Sequence, residues 1–147
     1  MNKLLARIAH IESSGHISLV ELRVAPPGGE ATGDLFSCVV IETPETAPYL
    51  RPGNTVYLIF KETEVSIGKN LSGQLSLRNQ LPCVIKGLRK GAILTEICLD
   101  YRGIEIGAII TTRSAEKLDL RIGDAVTGLI KANEVSIMEM EDKIAGF

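Results

Sequence analysis

The polar side chains of this 147-residue chain offer positive charge and hydrogen-bond donors rather than a catalytic set. Two short stretches draw attention: Ser76-Leu-Arg-Asn-Gln80, just ahead of the apolar run Cys83-Val-Ile, and Lys131-Ala-Asn-Glu-Val135, just after the run Ala125 to Ile130. Guanidinium, ammonium, hydroxyl and amide groups can all donate hydrogen bonds to an oxygen-rich anion. Taken singly, an Arg or a Lys beside a strand reads as a solvated charge at a sheet edge. Glu64 and Glu134 recur beside Val65 and Val135 in an alternating pattern that turns them to solvent, so they do not form a catalytic pair. His10 and His16 are the only histidines, too few for a His-based metal cage or a Ser-His-Asp arrangement. Cys38, Cys83 and Cys98 are odd in number and far apart, without a CxxC pair, and read as buried free thiols. Gly28-Gly29 and Gly68-Lys69 lack the remaining glycines and the Ser/Thr of a phosphate loop. No nucleophile, base and orienting group occur together, so the chain is not expected to be an enzyme.

The elements that must carry these residues come from an internal repeat. Arg51–Ile67 and Arg121–Ile137 match at eight of seventeen positions, and Asn2-Lys-Leu-Leu and Gly15-His-Ile weakly echo Asn79-Gln-Leu-Pro and Gly91-Ala-Ile. The spacing from Asn2 to Lys61 is 59 positions and from Asn79 to Lys131 it is 52, so the first copy holds about seven extra residues. Pro26-Pro-Gly-Gly29 and Pro44-Glu-Thr-Ala-Pro48 have the turn-rich composition of loop insertions. In the second copy, Cys83–Ile85, Leu94–Leu99, Ile104–Ile110, Ala125–Ile130 and Val135–Ile137 read as five short strands, Asp100-Tyr-Arg-Gly103 as a hairpin turn, and Ser114–Leu118 as a short helix. Five strands and one helix suit a small OB-type barrel. The expected fold is therefore all-β with short helices, as tandem OB-like five-stranded barrels. A first module spans residues 1–69 and a second spans 74–140, with Gly73 in the linker.

The repeat, the two polar stretches, Gly91-Ala-Ile93 and the segment Ser114–Asp124 together resemble the molybdenum-pterin-binding-protein (Mop) family, whose modules are also called molbindins or TOBE-type domains. The resemblance covers nearly the whole chain. It implies OB-like modules that bind molybdate or tungstate as the intact oxyanion, and a cytoplasmic storage role for tandem members of this length. The family opens on Ser-Ala-Arg-Asn, and Ser76-Leu-Arg-Asn79 departs from it only at Leu77. A later Lys-Ala-Ser appears as Lys131-Ala-Asn133, an amide donor replacing a hydroxyl. The implied oxyanion site is Ser76, Arg78, Asn79, Lys131, Ala132 and Asn133. In the first copy the later signature reads Lys61-Glu-Thr63, and Glu62 would repel a dianion, leaving Lys61 and Thr63 as weaker candidates. Similar sites are composites at domain or subunit interfaces, so Arg78 of one module is expected to meet Lys131 or Lys61 of another. Chemically, a tetrahedral dianion offers no free valence to coordinate and needs cations and N–H or O–H donors at its four oxygens. A handful of such contacts, at about 1 kcal/mol each and about 1.5–3 for charged ones, reaches roughly −8 kcal/mol, a micromolar affinity.

Composition bounds the partners. The net charge of −2, with both signs interspersed, gives no reason to expect duplex DNA or an anionic membrane. Aromatic residues make up 4% and tryptophan is absent, which disfavours single-stranded nucleic acid, the other common ligand of OB folds. No apolar run is long enough to span a bilayer and no signal peptide is evident, so the expected location is the cytoplasm. No cofactor or metal is expected. Small modules of this kind gain stability by packing together and by forming homo-oligomers, with a trimer ahead of a dimer on the resemblance. The competing role is a ligand-sensing module that works with a molybdate-responsive regulator or transporter.

Overall fold

The computed structural model describes residues 1–25 and 33–140. Among the described residues there are ten strands: β1 (Asn2–Ser14), β2 (Ile17–Val24), β3 (Leu35–Val40), β4 (Thr55–Phe60), β5 (Ser66–Gly68), β6 (Asn79–Lys90), β7 (Leu94–Tyr101), β8 (Ile104–Thr111), β9 (Ala125–Ile130) and β10 (Ser136–Glu139). A helix, α1 (Thr112–Lys117), follows β8, and single 3₁₀ turns at Glu62–Glu64 and Ala132–Glu134 precede β5 and β10. All five strands expected in the second copy are present. The alternation that defines them is regular: on β7, Thr95, Ile97, Leu99 and Tyr101 point inward while Leu94 and Glu96 face solvent.

Two five-stranded antiparallel sheets result, with orders β10-β4-β1-β2-β3 and β5-β9-β6-β7-β8. Their equivalence follows from the repeat, with β6 to β9 standing for β1 to β4. The fifth strand is exchanged: β5 of the first copy pairs with β9, and β10 of the second copy pairs with β4. The compact units are accordingly Met1–Asn2 with Phe60–Glu134, and Lys3–Ile59 with the chain from Val135 onward. These spatial units cross the repeat boundaries at 69 and 74.

Each unit repeats the same local devices. β1 is irregular between Ile8 and His10, and β6 between Ile85 and Gly87, a bulge that steepens the curl of the sheet. Beside each bulge, Ile8 exchanges backbone hydrogen bonds with Gly53 and Asn54, and Ile85 with Gly123 and Asp124, at 2.7–3.0 Å. Gly53 and Gly123 sit at φ of 91° and 96°, in the left-handed region that glycine enters without strain. The β7–β8 hairpin closes on Arg102-Gly103, at φ of 49° and 88°, the two positive angles of a type I′ turn. In the first copy ten residues separate Val24 of β2 from Leu35 of β3, against two between β7 and β8, so the extra length lies there. Pro26–Gly29 falls outside the described residues. Pro44–Pro48 adds almost nothing: it lies in a turn-rich link between β3 and β4 that stands where α1 stands in the second copy.

The core of the Lys3–Ile59 unit is made by Leu4, Ile8, Val20, Leu22, Phe36 and Leu58, and that of the other by Leu81, Ile85, Leu99, Tyr101, Ile106 and Ile130, all at most 1% exposed. The α1 N-terminus is capped by Thr111 Oγ1, which accepts from the Ser114 N–H at 3.1 Å. Lys69 holds the other end of α1, donating to the Leu118 and Asp119 carbonyls at 3.1 and 2.8 Å and pairing with Asp124 at 3.1 Å. Asn2 acts as a substitute strand: its amide donates to the Gly107 carbonyl at 2.9 Å and accepts the Gly107 N–H at 2.8 Å, on the outer edge of β8.

Candidate functional site

Register brings the two polar stretches together. Asn79 pairs with Ile130 as the outermost residues of the β6–β9 ladder, so Arg78 and Lys131, the next residue on each chain, leave the sheet at the same end. On the other flank of β9, Ser66 pairs with Leu129, and the turn carrying Lys61, Glu62 and Thr63 enters at that end too. Ser76, Arg78, Asn79, Lys131, Ala132, Asn133, Lys61 and Thr63 thus all belong to the unit containing Phe60–Glu134. Strand exchange is the cause for Lys61 and Thr63, because β5 draws the first copy's Lys-Glu-Thr segment onto the second copy's sheet. Arg78 and Lys131, both from the second copy, share this unit as well.

The side chains differ in availability. Ser76, Arg78, Lys131, Asn133, Lys61 and Thr63 are exposed, and Ala132 is half-buried. Asn79 is 0% exposed, as its counterpart Asn2 is nearly so at 6%, which makes it part of the interior at the end of the sheet. Residues 69–78 form no helix or strand, so Ser76 and Arg78 stand on irregular chain running into β6. One tie to that chain is the Gln80 side-chain amide, which donates to the Leu77 carbonyl at 2.8 Å.

Two features of the Lys-x-x-Glu segments go beyond the sequence reading. Glu64 and Glu134 sit on 3₁₀ turns rather than on an alternating strand. Glu64 Oε1 accepts the Lys61 N–H at 2.8 Å while the Glu64 N–H donates to the Lys61 carbonyl at 2.9 Å, reciprocal bonding of the capping-box kind. The shared three-residue spacing of Lys and Glu in both copies is the one sequence signal for these turns. Glu62 pairs with the Met1 amine, and the hydrogen bond from that ammonium holds its carboxyl below the ordinary value. Ala132 brings no carboxylate to the equivalent position in the second copy.

A concavity of about 450 Å³ in the same unit is a different place. Its lining includes Glu62, Arg89, Glu96, Cys98 and Glu105. Arg89 is paired with Glu96 at 2.6 Å and Glu62 with the Met1 amine, so the lining offers an anion no spare cation and carries the further carboxylate of Glu105. Cys38 and Cys83 are buried free thiols and Cys98 is half-buried. Burial pushes Cys38 up to about 12 and Cys83 up to about 11. His10 and His16 are exposed. Among the described residues, no three His, Cys, Asp or Glu side chains gather as metal ligands, and no helix is long and apolar enough to cross a membrane.

Residues 75–137 match the TOBE domain family model. Molybdenum-pterin-binding protein 1 of Clostridium pasteurianum is 38% identical over 65 residues, 44% of this chain and 96% of that protein. The molybdenum import ATP-binding protein ModC of Brucella abortus is 35% identical over 89 residues, 60% of this chain, and the chain spans only 25% of that protein's length. The crystal structure of the cytoplasmic molybdate-binding protein ModG, in its molybdate-bound form, superposes with a TM-score of 0.84 at 26% identity, covering 95% of this chain and 96% of that one.

Fold and site together define a tandem protein of OB-like five-stranded modules, each a curled antiparallel sheet with a short helical turn before its last strand. The chain belongs to the molybdenum-pterin-binding protein family.

Proposed function

We propose that this chain binds molybdate or tungstate as the intact oxyanion and serves in storage or homeostasis of the metal in the cytoplasm, without making or breaking bonds in its ligand. The observation that carries this reading is the convergence of Arg78 and Lys131 at one end of the β6–β9 ladder. Ser76 and Asn133 add exposed donors on the same two stretches, and Ala132 replaces the carboxylate that Glu62 brings to the first copy. Two cations supply the charge of a dianion, and neutral donors distribute contacts over its four oxygens. The exposure of six of these side chains fits a site completed by a second copy of the chain, so the active form is a homo-oligomer, a trimer ahead of a dimer. Molybdate bound to ModG and the name of the Clostridium relative support the choice of ligand.

The match to ModC supports a second reading, a ligand-sensing module that works with a molybdate transporter or regulator. Calorimetric titration with molybdate, tungstate and sulfate, on protein whose oligomeric mass is measured in parallel, tests the first reading. Binding of either group-six oxyanion at about micromolar affinity or tighter, with sulfate weaker, is the expected result. Absence of binding at near-physiological salt would remove it. Capture of a transporter or regulator subunit dependent on molybdate would favour the second reading.

A further inference from the structure

We propose that Gln80 is a positioning residue for the oxyanion site, an inference that rests on the function proposed above. Ser76 and Arg78 lie on chain without secondary structure, where no backbone ladder sets their direction. Gln80 is different: it is paired with Leu129 inside the β6–β9 ladder, so its own backbone is fixed. From there its Nε2 reaches back and donates to the Leu77 carbonyl at 2.8 Å. The peptide between Leu77 and Arg78 is planar and trans, so holding its carbonyl toward Gln80 also sets the opposite direction of the Arg78 N–H. This side-chain bond therefore ties the peptide that joins Leu77 to Arg78 to the sheet. Ordering these donors before the ligand arrives lowers the entropy lost on binding.

Gln80 is exposed, so its removal leaves no buried polar group unpaired and need not unfold the protein. The test compares wild type, Gln80→Met, which keeps the length and loses the donor, and Gln80→Lys, which restores a nitrogen donor. Molybdate affinity is measured by calorimetry on the full chain at about 0.5 M salt, where the Debye length shrinks to roughly 4 Å and screens the added lysine charge. Thermal midpoints are recorded without ligand. The expected result is a roughly fivefold weaker affinity for Gln80→Met, recovery to within about twofold for Gln80→Lys, and unchanged midpoints. Unaltered affinity in Gln80→Met, or no recovery in Gln80→Lys, overturns the positioning role while leaving the proposed function in place. A wild-type protein that retains no molybdate even at near-physiological salt overturns both.

Discussion

Replacing Asn2 with alanine should loosen the unit built on Phe60–Glu134 by a definable amount. The Asn2 side chain makes two hydrogen bonds to the backbone of Gly107, at 2.9 and 2.8 Å, and is 6% exposed. Two neutral hydrogen bonds at about 1 kcal/mol each give a loss of about 2 kcal/mol; half-buried Gly107 can recover part of it from water, so about 1–2 kcal/mol remains. With a urea dependence of about 2 kcal/mol per molar, in the middle of the range for small proteins, the midpoint of that unit should fall by about 0.5–1 M. Urea unfolding followed by near-ultraviolet circular dichroism reports on it through Tyr101, which is 0% exposed. Asn2→Asp keeps the acceptor for the Gly107 N–H but faces the Gly107 carbonyl with a second oxygen, so it should lose at least as much. A midpoint within about 0.2 M of wild type in both variants would show that Asn2 does not act as a substitute strand on β8.

Other outcomes follow from the same geometry. Arg78→Ala and Lys131→Ala should each weaken molybdate binding by about tenfold or more in calorimetry while circular dichroism stays unchanged, since charged contacts are worth about 1.5–3 kcal/mol; unchanged affinity would move the site elsewhere. Ending the chain after Val135 removes β10 and bares the β4 edge, so hydrogen exchange should quicken on Val56–Ile59 while β6 and β7 keep their protection. Equal protection of β4 with and without β10 would contradict the exchanged pairing. The Cys38 thiol is held neutral by burial, with its value raised to about 12. Unfolded thiols ionise from about pH 8.5, so the unfolded state holds fewer protons than the folded one above that pH, and stability falls by up to about 1.4 kcal/mol per pH unit until the folded value is reached. Cys38→Ala should flatten the decline in stability between about pH 9 and 10.5 relative to wild type; identical slopes would refute the burial argument.

Much of the architecture was legible in the residues, and the illegible part has an identifiable cause. The strands of the second copy were readable because β-branched and apolar residues alternate between Gly, Asp and Lys punctuation, and Arg102-Gly103 closes its hairpin as the composition suggested. Pairing of the fifth strand could not be read. Val65-Ser-Ile67 and Val135-Ser-Ile137 are identical, so hydrophobic pattern alone suits either to β4 or β9. The Lys131–Val135 segment was placed at a strand junction, but the 3₁₀ turns there and at Glu62–Glu64 were not legible, since in the first copy the turn is closed by Glu64 bonding back to Lys61, a contact no hydrophobic pattern reports. For the candidate site, types and order were visible at Ser76, Arg78, Lys131 and Asn133, while the gathering of Lys61 onto the same sheet required the exchange. Burial of Asn79 was hidden because a polar residue at a strand end reads as exposed until the register is known.

Anomalous diffraction at the molybdenum edge, from crystals of the full chain grown with molybdate, addresses the binding claim without relying on any variant. A peak within hydrogen-bonding reach of Arg78 and Lys131, with Ser76 or Asn133 among its neighbours, is expected. Molybdenum density at the acidic concavity around Glu96 and Glu105, or none at any protein group, would contradict the assignment.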